Sequence, residues 1–146
     1  MILDGSKVSD KIAVIKAMIE KADVFLIGGV MAYTFYKALG IPTGTSRVEV
    51  RVHLAKTLLA LAKEKGVKFL LPVDDFETEE LKTGAQSRKT PLHSSGQGIA
   101  DGWQGVDIGQ ETIAQYKVEI GKAKTILWNG PVGFLKFRIS RPAPEN

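Results

Sequence analysis

Lys7 and Lys11 bracket the start of an amphipathic segment that follows the turn Ile2-Leu3-Asp4-Gly5-Ser6. At the first turn of a helix the macrodipole is positive, and each cation there is unfavourable by ~0.3 to 1 kcal/mol. Asp10 offsets only part of this. A bound anion would remove the penalty, because helix N-terminal amides and two ammonium groups would converge on it. The alternative is that both lysines point into solvent, where the penalty is small. Two further apolar runs end in glycine turns, Phe25-Leu26-Ile27-Gly28-Gly29 and Thr125-Ile126-Leu127-Trp128-Asn129-Gly130-Pro131. Strand ends followed by such turns form the crevice of a parallel α/β sheet, and glycine lets backbone N–H groups approach phosphate or base closely. Gly28-Gly29 suits a flat contact with a purine, and equally suits close packing of a helix on a strand. Asn129 either projects its amide over the sheet edge or satisfies its own backbone in the turn. Neither G-x-G-x-x-G nor G-x-x-x-x-G-K-[ST] occurs, so those phosphate fingerprints carry nothing here.

The elements that must position these residues follow from periodicity. Ser9 is placed to cap a helix whose apolar residues Ile12, Ile15, Met18, Ile19 and Ala22 recur at helical spacing, with Lys16 and Glu20 facing water. Val24 to Ile27 reads as a short buried strand, and Met31 to Leu39 as a helix stopped by Gly40. Ser46-Arg47-Val48-Glu49 has capping-box spacing and predicts a helix through Leu54, Leu58, Leu59 and Ala62 that ends at Gly66. Val67 to Leu71 is a buried strand, left through a Pro72-Val73-Asp74-Asp75 loop. Lys82 to Gly102 has no usable period and reads as an excursion. Val106 to Ile108 is a brief strand, Gln110 to Ile120 a helix with Ile113, Tyr116 and Ile120 on one face, and Thr125 to Trp128 another buried strand. This alternation predicts an α/β fold, a Rossmann-like, mostly parallel sheet flanked by helices.

The 146 residues fit one domain, in which ~68 to 70 per cent of the unfolded surface would be buried. Hydrophobic residues at 44% and charged residues at 25% argue against extensive disorder. The net charge of +4 is spread without a dense basic block, so a small anion accounts for it and no nucleic-acid partner is expected. With no cysteine, thiolate metal sites are excluded and a reducing compartment is expected. His53 and His93 belong to no spaced ligand motif and read as surface or loop histidines, so no metal ligand is assigned. Met1-Ile2-Leu3-Asp4 meets an acid too early for a signal peptide, and no run approaches transmembrane length; no membrane partner and a cytoplasmic location are expected.

Five segments taken together resemble phosphoglycerate kinase. They are Ile2-Leu3-Asp4-Gly5-Ser6-Lys7-Val8-Ser9-Asp10-Lys11-Ile12, Leu26-Ile27-Gly28-Gly29-Val30-Met31-Ala32-Tyr33-Thr34-Phe35, Leu71-Pro72-Val73-Asp74, Gly102-Trp103-Gln104-Gly105-Val106-Asp107-Ile108-Gly109 and Trp128-Asn129-Gly130-Pro131-Val132-Gly133. The resemblance covers residues 2 to about 135, in the family's order, and implies that residues 1–135 are part of its carboxy-terminal, nucleotide-binding domain. It implies adenine nucleotide, ADP or ATP with Mg2+, as ligand, and phosphoglycerate as a partner held only through an amino-terminal domain. By the same resemblance Lys7 and Lys11 face the phosphates and the phosphoryl group in flight. Gly28, Gly29, Gly105 and Val106 wall the adenine, Asn129 and Pro131 lie along phosphates and ribose, and Gly5, Tyr33 and Gly130 complete the nucleotide side.

The chain departs from the family's pattern at named positions. Asp4 and Ser6 stand for glycine and alanine, Val30 for a third glycine, and Arg47 for an apolar contact to adenine. Lys136 stands where an acid accepts hydrogen bonds from ribose, which a lysine cannot do. The family's final glycine-rich loop, with its magnesium-binding aspartate, finds no counterpart, and residues 136–146 read as a frayed, non-family tail. The chain is thus expected to be incomplete at both ends and not catalytically competent alone. Alternatives are an inactive truncation product or a non-catalytic interaction module of the same fold. A dinucleotide-binding oxidoreductase domain lacks the glycine fingerprint and acidic ribose partner. Uncovered sheet edges predict low stability or self-association. Sedimentation and thermal melting over a range of protein concentrations check this; a monomer that melts sharply and independently of concentration contradicts it.

Overall fold

The computed structural model describes residues 1–130, so Pro131, Lys136 and the 136–146 tail lie outside the described residues. In chain order the elements are β1 (Ile2–Leu3), α1 (Val8–Met18), β2 (Val24–Ile27), α2 (Met31–Leu39), α3 (Val52–Glu64) and β3 (Lys68–Leu70), followed by β4 (Asp75–Thr78), β5 (Arg88–Lys89), β6 (Gln104–Ile108), α4 (Gln110–Lys122) and β7 (Trp128–Asn129). β3, β2, β1 and β7 form a parallel sheet in that order. Ile2 lies opposite Leu26 and Trp128, and Leu3 opposite Ile27 and Asn129. Among the described residues no helix is long and apolar enough to cross a membrane.

Strand residues alternate between the two faces of this sheet. Leu3, Phe25 and Ile27 pack with Val8, Ile15, Ile19, Phe35, Tyr36, Ala55 and Leu58 of the first three helices. Ile2 and Leu26 face the other way, against Tyr116 of α4. Tyr116 donates its hydroxyl to Ile27 O at 2.6 Å, and Leu70 O lies 3.1 Å from the same oxygen. A hydroxyl buried beside apolar strands needs such acceptors, and they pin α4 across β2 and β3. The helix stops stand where glycine spacing puts them: Gly40 and Gly66 adopt left-handed φ of 76° and 67°.

Several local expectations are corrected. α1 begins at Val8 with Lys7 as N-cap and no side-chain cap; Ser9 instead donates its backbone N–H to the Glu49 carboxylate at 3.2 Å. Glu49 therefore caps α1 from a distant segment. Its own N–H goes to the Thr34 hydroxyl, and the Ser46 hydroxyl accepts from Gly105 N–H at 2.9 Å. With both polar ends of the S-x-x-E box engaged elsewhere, α3 starts only at Val52. Asp75 does not stay in a loop: it begins β4, which pairs antiparallel with β5 and β6 in a second, three-stranded sheet. That sheet draws a strand from the aperiodic 82–102 stretch, and β6 belongs to it rather than to the parallel sheet. The strand expected buried over Thr125 to Trp128 is β7, shifted and exposed, with Ile126, Leu127 and Trp128 all about half accessible or more. It pairs with β1 on one side, and none of the described residues covers its side chains enough to bury them. In α4, Thr112 and Tyr116 are the buried residues, while Ile120 is exposed.

Two buried carboxylates join the sheets. Asp74 accepts from Glu111 N–H, Thr112 N–H and the Thr112 hydroxyl, at 3.1, 2.9 and 2.6 Å, and so caps α4. Gly109 leaves room for it, since a β-carbon there would lie 2.2 Å from the Asp74 carboxyl carbon. Asp75 takes the Tyr36 hydroxyl at 2.9 Å and His93 Nε2 at 2.8 Å, while His93 Nδ1 faces Gln97 O at 3.3 Å. His93 is thus a buried partner of an acid rather than a surface histidine. Burial pushes the Asp75 carboxyl above its ordinary value, Asp74 adds to this, and His93 and Tyr36 oppose it.

Asp74→Ala should strip three hydrogen bonds from the start of α4 and lower the unfolding free energy by about 3 kcal/mol, read by urea denaturation. His93→Ala should cost ~1 to 3 kcal/mol at neutral pH by removing one of the two side chains that bond the buried Asp75 carboxylate, leaving it only Tyr36. A carboxyl with a raised folded-state value contributes stability that is present at low pH and lost as pH rises through that value. The deficit of His93→Ala should therefore shrink as pH falls into the range where the raised Asp75 carboxyl takes up its proton, which melts across a pH series can check.

Candidate functional site

The register of β1 with β2 and β7 brings their three exit turns to one rim. Asp4 N–H donates to Asn129 O at 2.9 Å, Gly28 N–H to Leu3 O at 3.0 Å, and Met31 N–H to Gly5 O at 2.8 Å. The turns are thus tied to one another by backbone hydrogen bonds. Lys11, on the first helical turns of α1, reaches across and donates to Asn129 Oδ1 at 2.6 Å. The Asn129 amide does project over the sheet edge, where a lysine ammonium meets it. Packing also brings Lys11 against Gly5, whose β-carbon, if present, would lie 2.9 Å from Lys11 Cε.

Asp4 fills the middle of this rim and is 9% exposed. Gly29 adopts a left-handed φ of 73°, and a β-carbon on it would stand 1.4 Å from Asp4 Oδ1. One on Gly130, φ 90°, would stand 3.0 Å from Asp4 Cβ. Only glycine at position 29 can face this carboxylate. Desolvation raises the Asp4 carboxyl above its ordinary value, while a hydrogen bond from Gly5 N–H and the Lys11 charge draw it back.

The other expected residues lie around this centre. Lys7 occupies the N-cap of α1 and is exposed, and its charge acts on Glu49. Burial pushes the Glu49 carboxyl up, but hydrogen bonds from Ser9 and Val8 together with Lys7 outweigh it and hold the carboxyl low. Gly28 is buried beneath the turn. Tyr33 is buried on α2, edge-on to Tyr36 with ring centroids 5.6 Å apart. Gly105 stands against its hydroxyl, as a β-carbon there would lie 2.3 Å from Tyr33 Oη. Gly105 and Val106 are buried on β6, and of the two Gly105 is the one set against Tyr33. Of the named departures, Ser6 and Arg47 are exposed and Val30 is half-buried.

Sequence reasoning missed the roles of Asp4 and Glu49 here. Glu49 was visible only as the fourth residue of a local capping box, and nothing local tells that its carboxylate caps a helix 40 residues upstream. The rim can hold an anion through Lys11, the Asn129 amide and the left-handed Gly29 and Gly130 turns beside them; the Val8 and Ser9 amides of α1 are taken by Glu49 and the Asp10 amide by Lys7 O, while Lys7 stands exposed at the N-cap.

The family model described as phosphoglycerate kinase matches residues 1–141. The phosphoglycerate kinase of Clostridium perfringens strain SM101 is 50% identical over 137 residues, covering 93% of this chain and 33% of that protein. That of Microcystis aeruginosa is 46% identical over the same length and the same shares. Among solved structures, phosphoglycerate kinase from Coxiella burnetii superposes with a TM-score of 0.83 at 34% identity, over 90% of this chain and 33% of the other. The enzyme from Pyrococcus horikoshii OT3 gives 0.64 at 30% identity. The chain spans about a third of the length of the relatives it matches. A rim built from three adjoining strand exits, in a sequence matched by the family model over nearly all its residues, places this chain in the phosphoglycerate kinase family.

Proposed function

We propose that this chain is the nucleotide-binding part of a cytosolic phosphoglycerate kinase, acting in glycolysis. The Lys11 bond to Asn129 beside the Gly5 and Gly29 turns is the observation that carries this reading. In the reaction, the bond between phosphorus and the acyl oxygen of 1,3-bisphosphoglycerate breaks, and the electron pair leaves on the 3-phosphoglycerate carboxylate. A terminal oxygen of ADP forms the new bond to phosphorus, giving ATP. Such transfer asks a protein for positioning and charge neutralisation rather than covalent help. Lys7 and Lys11 neutralise the nucleotide phosphates and the group in flight, and the Asn129 amide beside Lys11 helps to orient them.

Gly28 and Gly29 provide the flat wall for adenine, with Tyr33 and Gly105 supporting it from behind and Asn129 and Gly130 lining the phosphate side. Pro131, which the family resemblance assigns to the same side, lies outside the described residues. Phosphoglycerate is held by an amino-terminal domain, in the part of the relatives' length that lies outside the match, so this chain alone does not turn over. Magnesium, when bound with the nucleotide, would neutralise part of the phosphate charge; among the described residues no three His, Cys, Asp or Glu side chains lie together to hold it.

The Asp4 carboxylate seated against Gly29 favours a second reading, a fold that persists with its nucleotide corner closed. Calorimetric titration of the 146-residue chain with ADP separates the two. Binding that disappears in Lys7→Ala and Lys11→Ala supports the nucleotide reading. Absence of heat at millimolar ADP supports the closed fold. Turnover recovered in a coupled assay on adding a separately produced amino-terminal domain excludes it.

A further inference from the structure

We propose that the Asp4 carboxylate is an internal competitor: seated between the Gly29 turn and the Gly130 turn and beside Lys11, it holds the corner on the Gly130 side that a ligand phosphate must enter, and so sets the affinity of the site. This rests on the nucleotide reading above and deepens it. Asp4 Oδ1 stands where a substituent on Gly29 would project, and Oδ2 lies 3.3 Å from such a position on Gly130. One side chain therefore fills the concavity of both left-handed turns. It is nine-tenths buried, so its charge is poorly screened by solvent. The charged and titratable groups that face it are Lys11 from α1 and Tyr33 from α2, with the Gly5 N–H on its own strand. The neutral Asn129 amide from β7 completes the corner through its bond to Lys11.

Lys11 is the cation of that corner, and a carboxylate and a phosphate compete for it. Entry of phosphate requires Asp4 to swing out or to take up a proton, since two anions at van der Waals distance repel. Desolvation already favours the protonated form, so entry is easier in acid. The corner thus couples ligand affinity to pH through a residue that need not touch the ligand's base or sugar.

Titration calorimetry of the 146-residue chain with ADP, and separately with inorganic pyrophosphate, tests this at pH 5 and pH 8. Wild type, Asp4→Asn and Asp4→Gly are compared, each first shown to be folded by circular dichroism. Both variants should bind at least ~5-fold tighter than wild type at pH 8, the lower limit for one like charge at ~4 Å in water. The advantage should narrow at pH 5, and Lys11→Ala in the Asp4→Asn background should abolish the heat. Equal affinities in all three proteins, or weaker binding in both variants, overturn the competitor while leaving the nucleotide reading in place. No binding by any variant overturns that reading, and the competitor with it.

Discussion

The pairing of a two-residue strand decides what this molecule can hold. β1 contributes only Ile2 and Leu3 to the sheet, yet it is hydrogen-bonded on both sides, to β2 and to β7. Because Leu3 is level with Ile27 and with Asn129, three chains leave the sheet at one height. Register in a sheet with both faces buried is strongly specified, since a slip of one residue would turn Leu3 out of the main core and Ile2 into it. The same apolar selectivity that forms the core therefore aligns the glycine turns. Nothing in the turns themselves has to find its neighbours.

Helix ends in this fold are satisfied by long-range partners. α1 takes Glu49 and α4 takes Asp74, carboxylates from other segments that answer the exposed N–H groups of a first turn. Each such contact fastens a loop to a helix at the cost of a local cap. In α1 Glu49 takes the Val8 and Ser9 amides, while Lys11 further along the helix reaches Asn129 at the rim. A local serine cap would have competed for the same donors.

Elements with strong periodicity were legible from the residues alone: α2 over Met31–Leu39 and β2 over Val24–Ile27 have the expected bounds. The glycine stops at 40 and 66 were equally plain. The parallel sheet followed from the alternation of short apolar strands and helices. What was illegible was set by partners distant in the chain. The antiparallel sheet rests on Asp75, Glu77 and Arg88, whose charges argue for solvent until the pairings with His93 and the Ala100 N–H are known. The S-x-x-E box at 46–49 carried the right residues for capping and the wrong address. At the rim, Gly29, Lys11 and Asn129 could be named as neighbours from their turns, whereas the carboxylate of Asp4 turning inward over Gly29 depends on a φ of 73° that no residue pattern reveals.

Asp74 and Asp75 are consecutive, yet they grip opposite sides of the molecule. The first holds α4 on one face of the parallel sheet, and the second holds α2 and His93 behind the other. A single peptide unit thus serves as an axle between the two layers. A rotation of the small antiparallel sheet about that unit would be transmitted at once to the helix on the far side, and through the Tyr116 hydroxyl to the spacing of β2 and β3. The crevice is therefore geared to the small antiparallel sheet, whose β6 also sets Gly105 against Tyr33.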